Sequence, residues 1–352
     1  MAVTSDSQHT GASPTGPAAR RTGPGVGLGT LKRFLVLREG SIIVVTVITL
    51  LYFALSTSHF ITATNFKTLL PFFAPYAILA TGQVFVMING EIDLSIGGLY
   101  LISPFIMEKV FNAGLPLIPA LLVTLLICGA LGAFNGFVVA VIGISSFVTT
   151  LGTLFALDGL TLVISHNTQI TPVGTTILGT STYENIFGAG VYSELFWALG
   201  IVLVLQLVLS FTRWGVYTVA VGGNRLGAAE AGISVRLVLI RNFVLCATLA
   251  GFVGIIESVR TTSATPDPSG SNDILFQGIS AAVIGGTLLQ GGAGTVVGAL
   301  IGALFLGILH DGLVFKGVNA NYLDLYLGIA ILLAMVINVY VQRVRTGAGR
   351  GA

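Results

Sequence analysis

Long apolar stretches alternate with short polar or glycine-rich connections along most of the chain. Helices satisfy their own backbone hydrogen bonds, and about 20 consecutive apolar residues form a helix that crosses a bilayer. The alternation of polar and apolar residues that marks the strands of a membrane barrel is missing. The pattern therefore predicts an all-α polytopic membrane protein. Ten spans are expected, near residues 39–57, 68–88, 94–111, 117–141, 145–165, 195–211, 237–258, 274–290, 294–313 and 321–341.

The composition agrees with a protein whose main solvent is lipid. Of its 352 residues, 9% are charged and 54% are hydrophobic, and the mean hydropathy is +0.94. Soluble domains carry about 25% charged residues, so a soluble enzyme is excluded. A formal net charge of +2 is too small for the basic surface that nucleic-acid phosphates require, so no nucleic acid is expected as a partner.

The distribution of basic residues predicts the orientation in the membrane. With ten spans both termini lie on the same side, and lysine and arginine concentrate in cytoplasmic segments. Twelve of the sixteen basic residues fall on one face: Arg20, Arg21, Lys32, Arg33, Arg38, Arg213, Arg225, Arg236, Arg241, Arg343, Arg345 and Arg350. The other face holds Lys67, Lys109, Arg260 and Lys316. Both termini are therefore predicted to be cytoplasmic.

The same reasoning gives the domain organisation. Residues 1–38 are rich in Gly, Pro, Ser and Thr and are expected to form a disordered cytoplasmic tail without a cleaved signal. A transmembrane domain follows over residues 39–342, and residues 343–352 form a second cytoplasmic tail. Within the domain, the sequence predicts a cytoplasmic loop at 212–236 and external loops at 166–194 and 259–273.

Small residues recur every four positions in several predicted spans, as in Gly132 with Gly136 and Gly298 with Gly302. Such stripes allow helix backbones to approach closely, and packing within one chain is the simpler interpretation. A weak similarity between residues 129–165 and 302–338 also suggests an inverted internal repeat, an arrangement found in many transporters.

Recognised catalytic and cofactor motifs are missing from the sequence. It contains no phosphate-binding Gly-x-x-x-x-Gly-Lys-Ser/Thr motif, no histidine pair with metal-ligand spacing and no set of catalytic triad residues. Cys128 and Cys246 lie in apolar runs and are interpreted as small buried side chains. The chain is therefore expected to be neither an enzyme nor the carrier of a metal or cofactor.

The most polar connection between spans is the Asn89–Gly98 segment, which contains Glu91, Asp93 and Ser95 and no basic residue. Acidic residues at a membrane edge are unusual. Two interpretations remain open and are compatible. Asp93 or Ser95 caps the following helix, or the segment belongs to a substrate path or gate. Other candidates for such a path are Gln83, Asn89, Asn135, Thr149 and Thr153, which lie within or near spans.

A second unusual segment extends from Gly222 to Gly232 and is longer than a simple connection between spans. It is predicted to form a short cytoplasmic helix, capped by Asn224 and ended by Gly232. Such an alanine-rich helix fits the groove of a partner protein, since it lacks the large apolar residues that anchor a helix to lipid. Its residues are Gly222, Gly223, Asn224, Arg225, Ala228, Ala229, Glu230, Ala231 and Gly232.

At these segments the chain resembles the permeases of ribose- and xylose-type ATP-binding-cassette (ABC) sugar importers. The resemblance covers about residues 40–342, and the motifs that carry it are residues 90–97, 147–153, 222–232, 279–287 and 291–298. Glu91 stands where this family more often has Gly, but Glu occurs in xylose-type members. Ala293 stands where Arg is more usual.

The resemblance implies a location in the plasma (inner) membrane of a prokaryote and a path for a monosaccharide such as xylose or ribose, formed by two copies of the permease subunit. It also implies a cytoplasmic ABC ATPase, in which residues 222–232 would sit as a coupling helix, and an extracytoplasmic sugar-binding protein. Two alternatives remain. One is an ABC permease for branched-chain amino acids or nucleosides, and the other is an ion-coupled secondary transporter.

Overall fold

The computed structural model describes residues 39–175, 182–188 and 192–348, with side chains up to residue 336. The expected tail at 1–38 lies outside these residues. The helices are α1 (Gly40–Ser56), α2 (Ala63–Ile88), α3 (Ile96–Asn112), α4 (Leu117–Phe137), α5 (Ser146–Ser165), α6 (Thr182–Phe187), α7 (Ser193–Phe211), α8 (Arg213–Gly223), α9 (Arg225–Glu230), α10 (Val235–Thr261), α11 (Pro268–Ile284), α12 (Val296–Phe315) and α13 (Leu323–Ala348). A π-helical turn, Val138–Ile142, extends α4, and a 3-10 turn, Ala320–Tyr322, precedes α13.

The long helices confirm a polytopic all-α membrane protein. Six of the described helices are long and apolar enough to cross a membrane, namely α2, α4 with its π-helical turn, α5, α7, α10 and α12. Helix α1 and the apolar part of α13 are shorter, and α3 and α11 have 17 residues each. At a rise of 1.5 Å per residue, 17 residues extend about 26 Å, slightly less than the hydrocarbon core of about 30 Å.

One predicted span is displaced along the sequence. The expected helix at 274–290 is observed as α11, Pro268–Ile284. It begins early because the side chain of Asp267 accepts a hydrogen bond from the backbone N–H of Ser269 at 3.0 Å, and Pro268 occupies the first helical position. It ends early because Gly286 has a φ of +94°.

The connections contain more regular structure than the sequence predicts. The expected cytoplasmic loop contains α8 in addition to the predicted short helix, observed as α9, and the segment at 166–194 contains α6. Most of the expected external loop at 259–273 is helical, because α10 continues to Thr261 and α11 begins at Pro268. Helix α13 continues through part of the expected C-terminal tail to Ala348.

Helices α2 and α10 form the centre of the bundle. In their most apolar windows, 83% of α2 and 67% of α10 are buried, compared with 28% of α5 and of α7. Helix α2 packs against α11 and α12, and α10 packs against α3 and α4. A Cβ atom on Gly132 of α4 would lie 2.5 Å from the carbonyl oxygen of Phe243 in α10. The small-residue stripe of α4 therefore packs inside the chain, as predicted.

The connections between helices meet at two opposite ends of the bundle. Residues 89–95, 143–145, 212–234 and 285–295 share one end, which we call the junction end. There, the backbone N–H of Gly292 donates to the carbonyl of Ile88 at 2.7 Å. At the opposite end, Ile170 forms an antiparallel bridge with Ala264, and Lys316 Nζ donates to the Tyr52 hydroxyl at 2.7 Å.

Candidate functional site

The segment between α2 and α3, residues 89–95, is polar and largely buried. One carboxylate oxygen of Asp93, Oδ1, accepts hydrogen bonds from the backbone N–H of Ser95 at 3.0 Å and from Ser95 Oγ at 2.5 Å. Ser95 itself makes no side-chain cap on α3. Of the two predicted capping residues, Asp93 therefore closes the turn that leads into α3. Its other oxygen, Oδ2, has no partner among the described residues.

A chain of hydrogen bonds leads from Asp93 through the bundle to α5. Ser95 Oγ donates to Asp93 and accepts from Asn135 Nδ2 of α4 at 2.9 Å. Asn135 Oδ1 accepts from Thr153 Oγ1 of α5 at 2.7 Å. The structure thus joins four of the predicted path residues, and we call Asp93, Ser95, Asn135 and Thr153 the polar chain.

Other side chains fix the backbone of the 89–95 segment. Gln83, fully buried in α2, donates from Nε2 to the carbonyl oxygen of Asp93. Two residues of α5 accept backbone N–H groups of the segment. Ser146 Oγ bonds to Ile92 at 3.2 Å, and Thr150 Oγ1 bonds to Leu94 at 3.0 Å. The segment is therefore attached to both α2 and α5.

The polar chain ends at a groove of about 540 Å³ between α4 and α5. Most of its lining is apolar, and Thr149 and Thr153 are the polar residues among the described lining. The Thr149 hydroxyl makes no hydrogen bond to a described residue. The lining thus contains two neutral polar residues and no charged group. It suits transient contact better than tight binding.

The predicted cytoplasmic helix is observed as α9, with the expected cap and end. Asn224 Oδ1 accepts from the backbone N–H of Gly227 at 3.0 Å, and Gly232 has a φ of +81°, a conformation that glycine adopts without strain. Ala228 is buried against Val221 and Val238. Its neighbours Gly223, Asn224, Arg225, Leu226, Ala229, Glu230, Ala231 and Gly232 are exposed.

The first boundary of this predicted helix is different. Gly222 and Gly223 end α8, and the chain then turns at Asn224 before α9 begins. Gly222 contacts the end of α2 so closely that a Cβ atom would lie 1.7 Å from the carbonyl oxygen of Ile88 and 2.9 Å from the backbone nitrogen of Gly292. Only glycine fits this position without displacement of a neighbouring backbone.

An ion pair joins α9 to the 89–95 segment. Arg225 NH2 lies 2.5 Å from Glu91 Oε1 and also donates to the carbonyl oxygen of Asn89 at 2.7 Å. The Glu91 side chain is 11% exposed and that of Arg225 is 48% exposed. The 89–95 segment contains no basic residue of its own, and Arg225, 134 positions along the chain from Glu91, provides the positive charge.

A second buried cluster, which the sequence did not reveal, attaches α8 and α10 to the same segment. Asn89 Nδ2 donates to the carbonyl of Thr218 at 2.8 Å, and Asn89 Oδ1 accepts from Asn242 Nδ2 at 2.6 Å. Asn242 Oδ1 accepts from Trp214 Nε1 at 2.7 Å. No sequence motif surrounds the members of this cluster, which are Trp214 and Thr218 in an expected loop and Asn242 in an expected span. Their polarity was the only indication that they take part in a hydrogen-bond network.

Burial dominates the electrostatics of the 89–95 segment. Asp93 lies in the connection between α2 and α3, and its removal from water raises the pKa of its carboxyl group to about 6, although the Ser95 hydrogen bonds act in the opposite direction. Among the described residues, no group of three His, Cys, Asp or Glu side chains is arranged to hold a metal ion. Cys128 and Cys246 are buried free thiols, as predicted.

Comparison with known proteins places these features in a family. Residues 65–336 match the family model described as branched-chain amino acid transport system / permease component. The chain is 34% identical over 326 residues to the xylose/arabinose import permease protein XylH of Sulfolobus acidocaldarius, covering 90% of this chain and 88% of the relative. It is 33% identical over 308 residues to the ribose import permease protein RbsC of Escherichia coli K12, covering 86% and 94%.

A third relative, 30% identical over 284 residues, is the probable ABC transporter permease protein y4mJ of Sinorhizobium fredii, with 81% of this chain and 84% of the relative covered. No solved structure gives a significant match. The resemblance inferred from the motifs is therefore confirmed, and the chain is a multi-pass integral protein of the prokaryotic inner membrane. It belongs to the permease family that contains the ribose and xylose/arabinose import permeases.

Proposed function

We propose that this chain is the permease subunit of an ABC importer and forms the translocation path for a monosaccharide, such as xylose, ribose or a related sugar. The observation that carries this proposal is the arrangement of α9. Its buried side is fixed by Ala228, while Leu226 and Ala229 face outward at the junction end. An exposed short helix with one buried side chain at its base is suited to insertion into a groove of a partner.

The choice of a sugar rests on the relatives. XylH and RbsC carry sugars in their names, and so does the D-allose transport system permease protein AlsC of Escherichia coli K12, which is 28% identical over 311 residues. The description of the family model favours branched-chain amino acids as a second candidate. The absence of a charged residue in the groove lining agrees better with a neutral sugar than with an amino acid.

The proposed topology has ten membrane crossings with both termini in the cytoplasm. It is supported by the meeting of alternate connections at opposite ends of the bundle, which requires successive long helices to run in opposite directions. The 89–95, 212–234 and 285–295 connections then face the cytoplasm. Residues 39–342 form the permease domain in this proposal.

We further propose that α2–α5 and α10–α13 are inverted repeats. Their support is an equivalent pattern of neighbours. Helix α2 packs on α11 and α12, whereas α10 packs on α3 and α4. Likewise α3 packs on α5, and α11 packs on α13. Exchange of the two groups leaves these contacts unchanged, as two related halves require.

The proposed partners are a cytoplasmic ABC ATPase, an extracytoplasmic sugar-binding protein and a second copy of this chain. ATP binding would close the ATPase dimer and move both copies of α9, which opens the path toward the docked binding protein. Hydrolysis would reset it. ATP hydrolysis belongs to the separate ATPase, and specificity rests mainly with the binding protein, so the groove needs only weak contacts.

The first experiment is purification from native membranes in mild detergent, followed by mass spectrometry of the accompanying proteins. Recovery of an ABC ATPase and a sugar-binding protein is expected, and that binding protein can then be screened with pentoses, hexoses and branched-chain amino acids. Repeated isolation without an ATPase, under conditions that preserve a known importer, would contradict the proposal.

The role of α9 is tested by a double variant, Gly223→Glu with Ala229→Glu. Both positions are exposed and a Cβ on Gly223 meets no atom within 4 Å, so the fold should be retained. The variant should lose the ATPase during purification. A matched control, Ala113→Glu, adds a charge at an exposed alanine of the opposite end and should keep it. Retention of the ATPase by the double variant would exclude α9 as the docking element.

A further inference from the structure

The 89–95 segment lies between the docking helix α9 and the groove, with bonds to both. On one side Arg225 of α9 contacts Glu91 and the carbonyl of Asn89. On the other side the polar chain continues from Asp93 to Thr153, whose side chain lines the groove. A single residue, Ile92, separates Glu91 from Asp93, so the connection is short.

The connection is also protected from water. Asp93, Ser95 and Asn135 have no exposed surface. A buried hydrogen bond cannot be exchanged for a bond to water, and its loss leaves an unsatisfied polar group that destabilises the fold. Neighbouring groups joined in this way therefore tend to move together.

Helix α5 depends strongly on these bonds for its position. Only 28% of its most apolar window is buried inside the chain. Its first two turns are attached to the 89–95 segment at Ser146 and Thr150, and the polar chain attaches it again at Thr153. The remaining contact is mainly with α3, where Gly98 fits against Leu157. A displacement of the segment will therefore displace the groove wall.

We propose that the Glu91–Arg225 ion pair makes Glu91 a positioning residue that transmits movement of α9 to the α5 wall of the groove, through the 89–95 segment and the polar chain. This rests on the proposed function, because α9 moves only if a partner motor engages it. The half-exposed Arg225 remains attached to α9, while the mostly buried Glu91 remains attached to the segment. In this proposal the ion pair therefore joins α9, which the motor moves, to the 89–95 segment and through it to the groove.

The groove can be monitored with a cysteine at Gly152. A Cβ there meets no atom within 4 Å, Gly152 lines the groove, and it takes no part in the polar chain. Both native cysteines are buried. The complete importer, with ATPase and binding protein, is reconstituted in lipid nanodiscs that expose both faces. Reaction of Gly152→Cys with a polar maleimide is then measured without nucleotide and with ATP plus vanadate.

In the reporter protein the labelling rate should change with nucleotide. Addition of Glu91→Gln should reduce this nucleotide-dependent change. The amount of sugar transported per ATP hydrolysed should fall about tenfold, which is a typical size for the coupling between two sites. Glu91→Arg should reduce both further, because it places two cations together. The reversed pair, Glu91→Arg with Arg225→Glu, should recover the labelling response and the coupling ratio in part, because the ion pair is restored. Recovery should be incomplete, because a glutamate at position 225 cannot donate to the carbonyl of Asn89. A role limited to folding would not produce this recovery.

The matched control is Glu257→Gln, which removes an ion pair with Arg260 at the opposite end and should leave the labelling response unchanged. Wild-type labelling and coupling in Glu91→Gln would overturn the proposal. So would a reporter whose labelling never responds to nucleotide in a transporting complex. Failure of the ATPase to assemble with the unmodified chain would instead contradict the proposed function. If the charge-reversed variants do not insert, Glu91→Gln alone decides the question.

Discussion

Each end of the bundle contains ion pairs, and the pairs at the two ends are of different kinds. At the junction end, Arg225 reaches from a short exposed helix to Glu91, and nearly half of its side chain remains exposed. At the opposite end, Arg260 of α10 pairs with Glu257 on its own helix and with Glu194 of α7 at 3.3 Å. Glu194 is almost fully buried.

This difference leads us to expect that one end moves more readily than the other. An arginine that pairs within its own long helix and holds a buried carboxylate of a neighbouring helix restrains both helices. An arginine on a six-residue helix, attached through one ion pair and one carbonyl, can follow an external force. We therefore expect the opposite end to act as a fixed support and the junction end to transmit movement.

The largest effect is expected from Gly222→Val, which breaks the junction end. The new side chain would overlap the carbonyl of Ile88, and overpacking of this severity costs about 3 kcal/mol or more. ATP-driven sugar uptake should be lost. Gly200→Ala, in the middle of α7, is the matched control, since its Cβ has open space, and it should transport normally. Equal uptake by the two variants would show that the close contact with α2 is dispensable.

The next effect concerns the pH dependence of the junction end. Because burial raises the pKa of Asp93 from about 3.8 to about 6, the native state binds more protons than the unfolded state between these values. Stability should therefore fall by about 3 kcal/mol as the pH rises from about 4 through 6. Asp93→Asn keeps the Oδ1 acceptor and should remove this fall. Thermal unfolding between pH 4 and 8 measures it, and an unchanged slope in the variant would exclude Asp93 as its source.

A smaller loss is expected from Arg260→Gln at the opposite end. It leaves Glu194 buried beside Glu257 without a cation, and after allowance for the one-third exposure of Arg260 the cost is about 2 kcal/mol. Glu257→Gln should cost less, because Arg260 still compensates Glu194. The midpoints of thermal unfolding rank the two variants. The reverse order would contradict the supporting role assigned to Arg260.

The smallest effect is expected from Gln206→Leu, which tests a cap supplied by a neighbouring helix. Gln206 Oε1 of α7 accepts from the backbone N–H groups of Val296 and Val297, at 3.1 and 3.2 Å, at the start of α12. Its loss should cost about 1 kcal/mol, a typical value for a helix cap. Ser210→Ala, which removes only a partner of Gln206 Nε2, serves as the control. Equal unfolding midpoints would indicate that the cap contributes nothing.

Local signals explain what the sequence could predict. Asn224 caps α9 and Gly232 ends it through contacts within a few residues, so their side chains and backbone preferences were sufficient. The expected helix at 274–290 was displaced because continuous hydropathy outweighed two local signals, the Asp267-Pro268 start and the Gly285-Gly286 end.

Long-range contacts explain what the sequence could not predict. The interpretation of the 89–95 segment as part of a path left Glu91 without a partner, because Arg225 is 134 residues away. Asn135 and Thr153 were suspected individually, but their order in one chain with Ser95 depends on the packing of α3, α4 and α5. Asn242 and Thr218 gave no signal beyond their polarity, and a single polar residue in a span or a loop has many explanations.

The most direct test of the central claim is uptake of radiolabelled xylose or ribose into proteoliposomes that contain this chain, its co-purifying ATPase and the sugar-binding protein. Uptake should require ATP inside the vesicles, where the ATPase of an importing complex lies, and the binding protein outside them. It should continue when sodium and proton gradients are dissipated. Uptake driven by an ion gradient in the absence of the ATPase would contradict the account and identify an ion-coupled carrier.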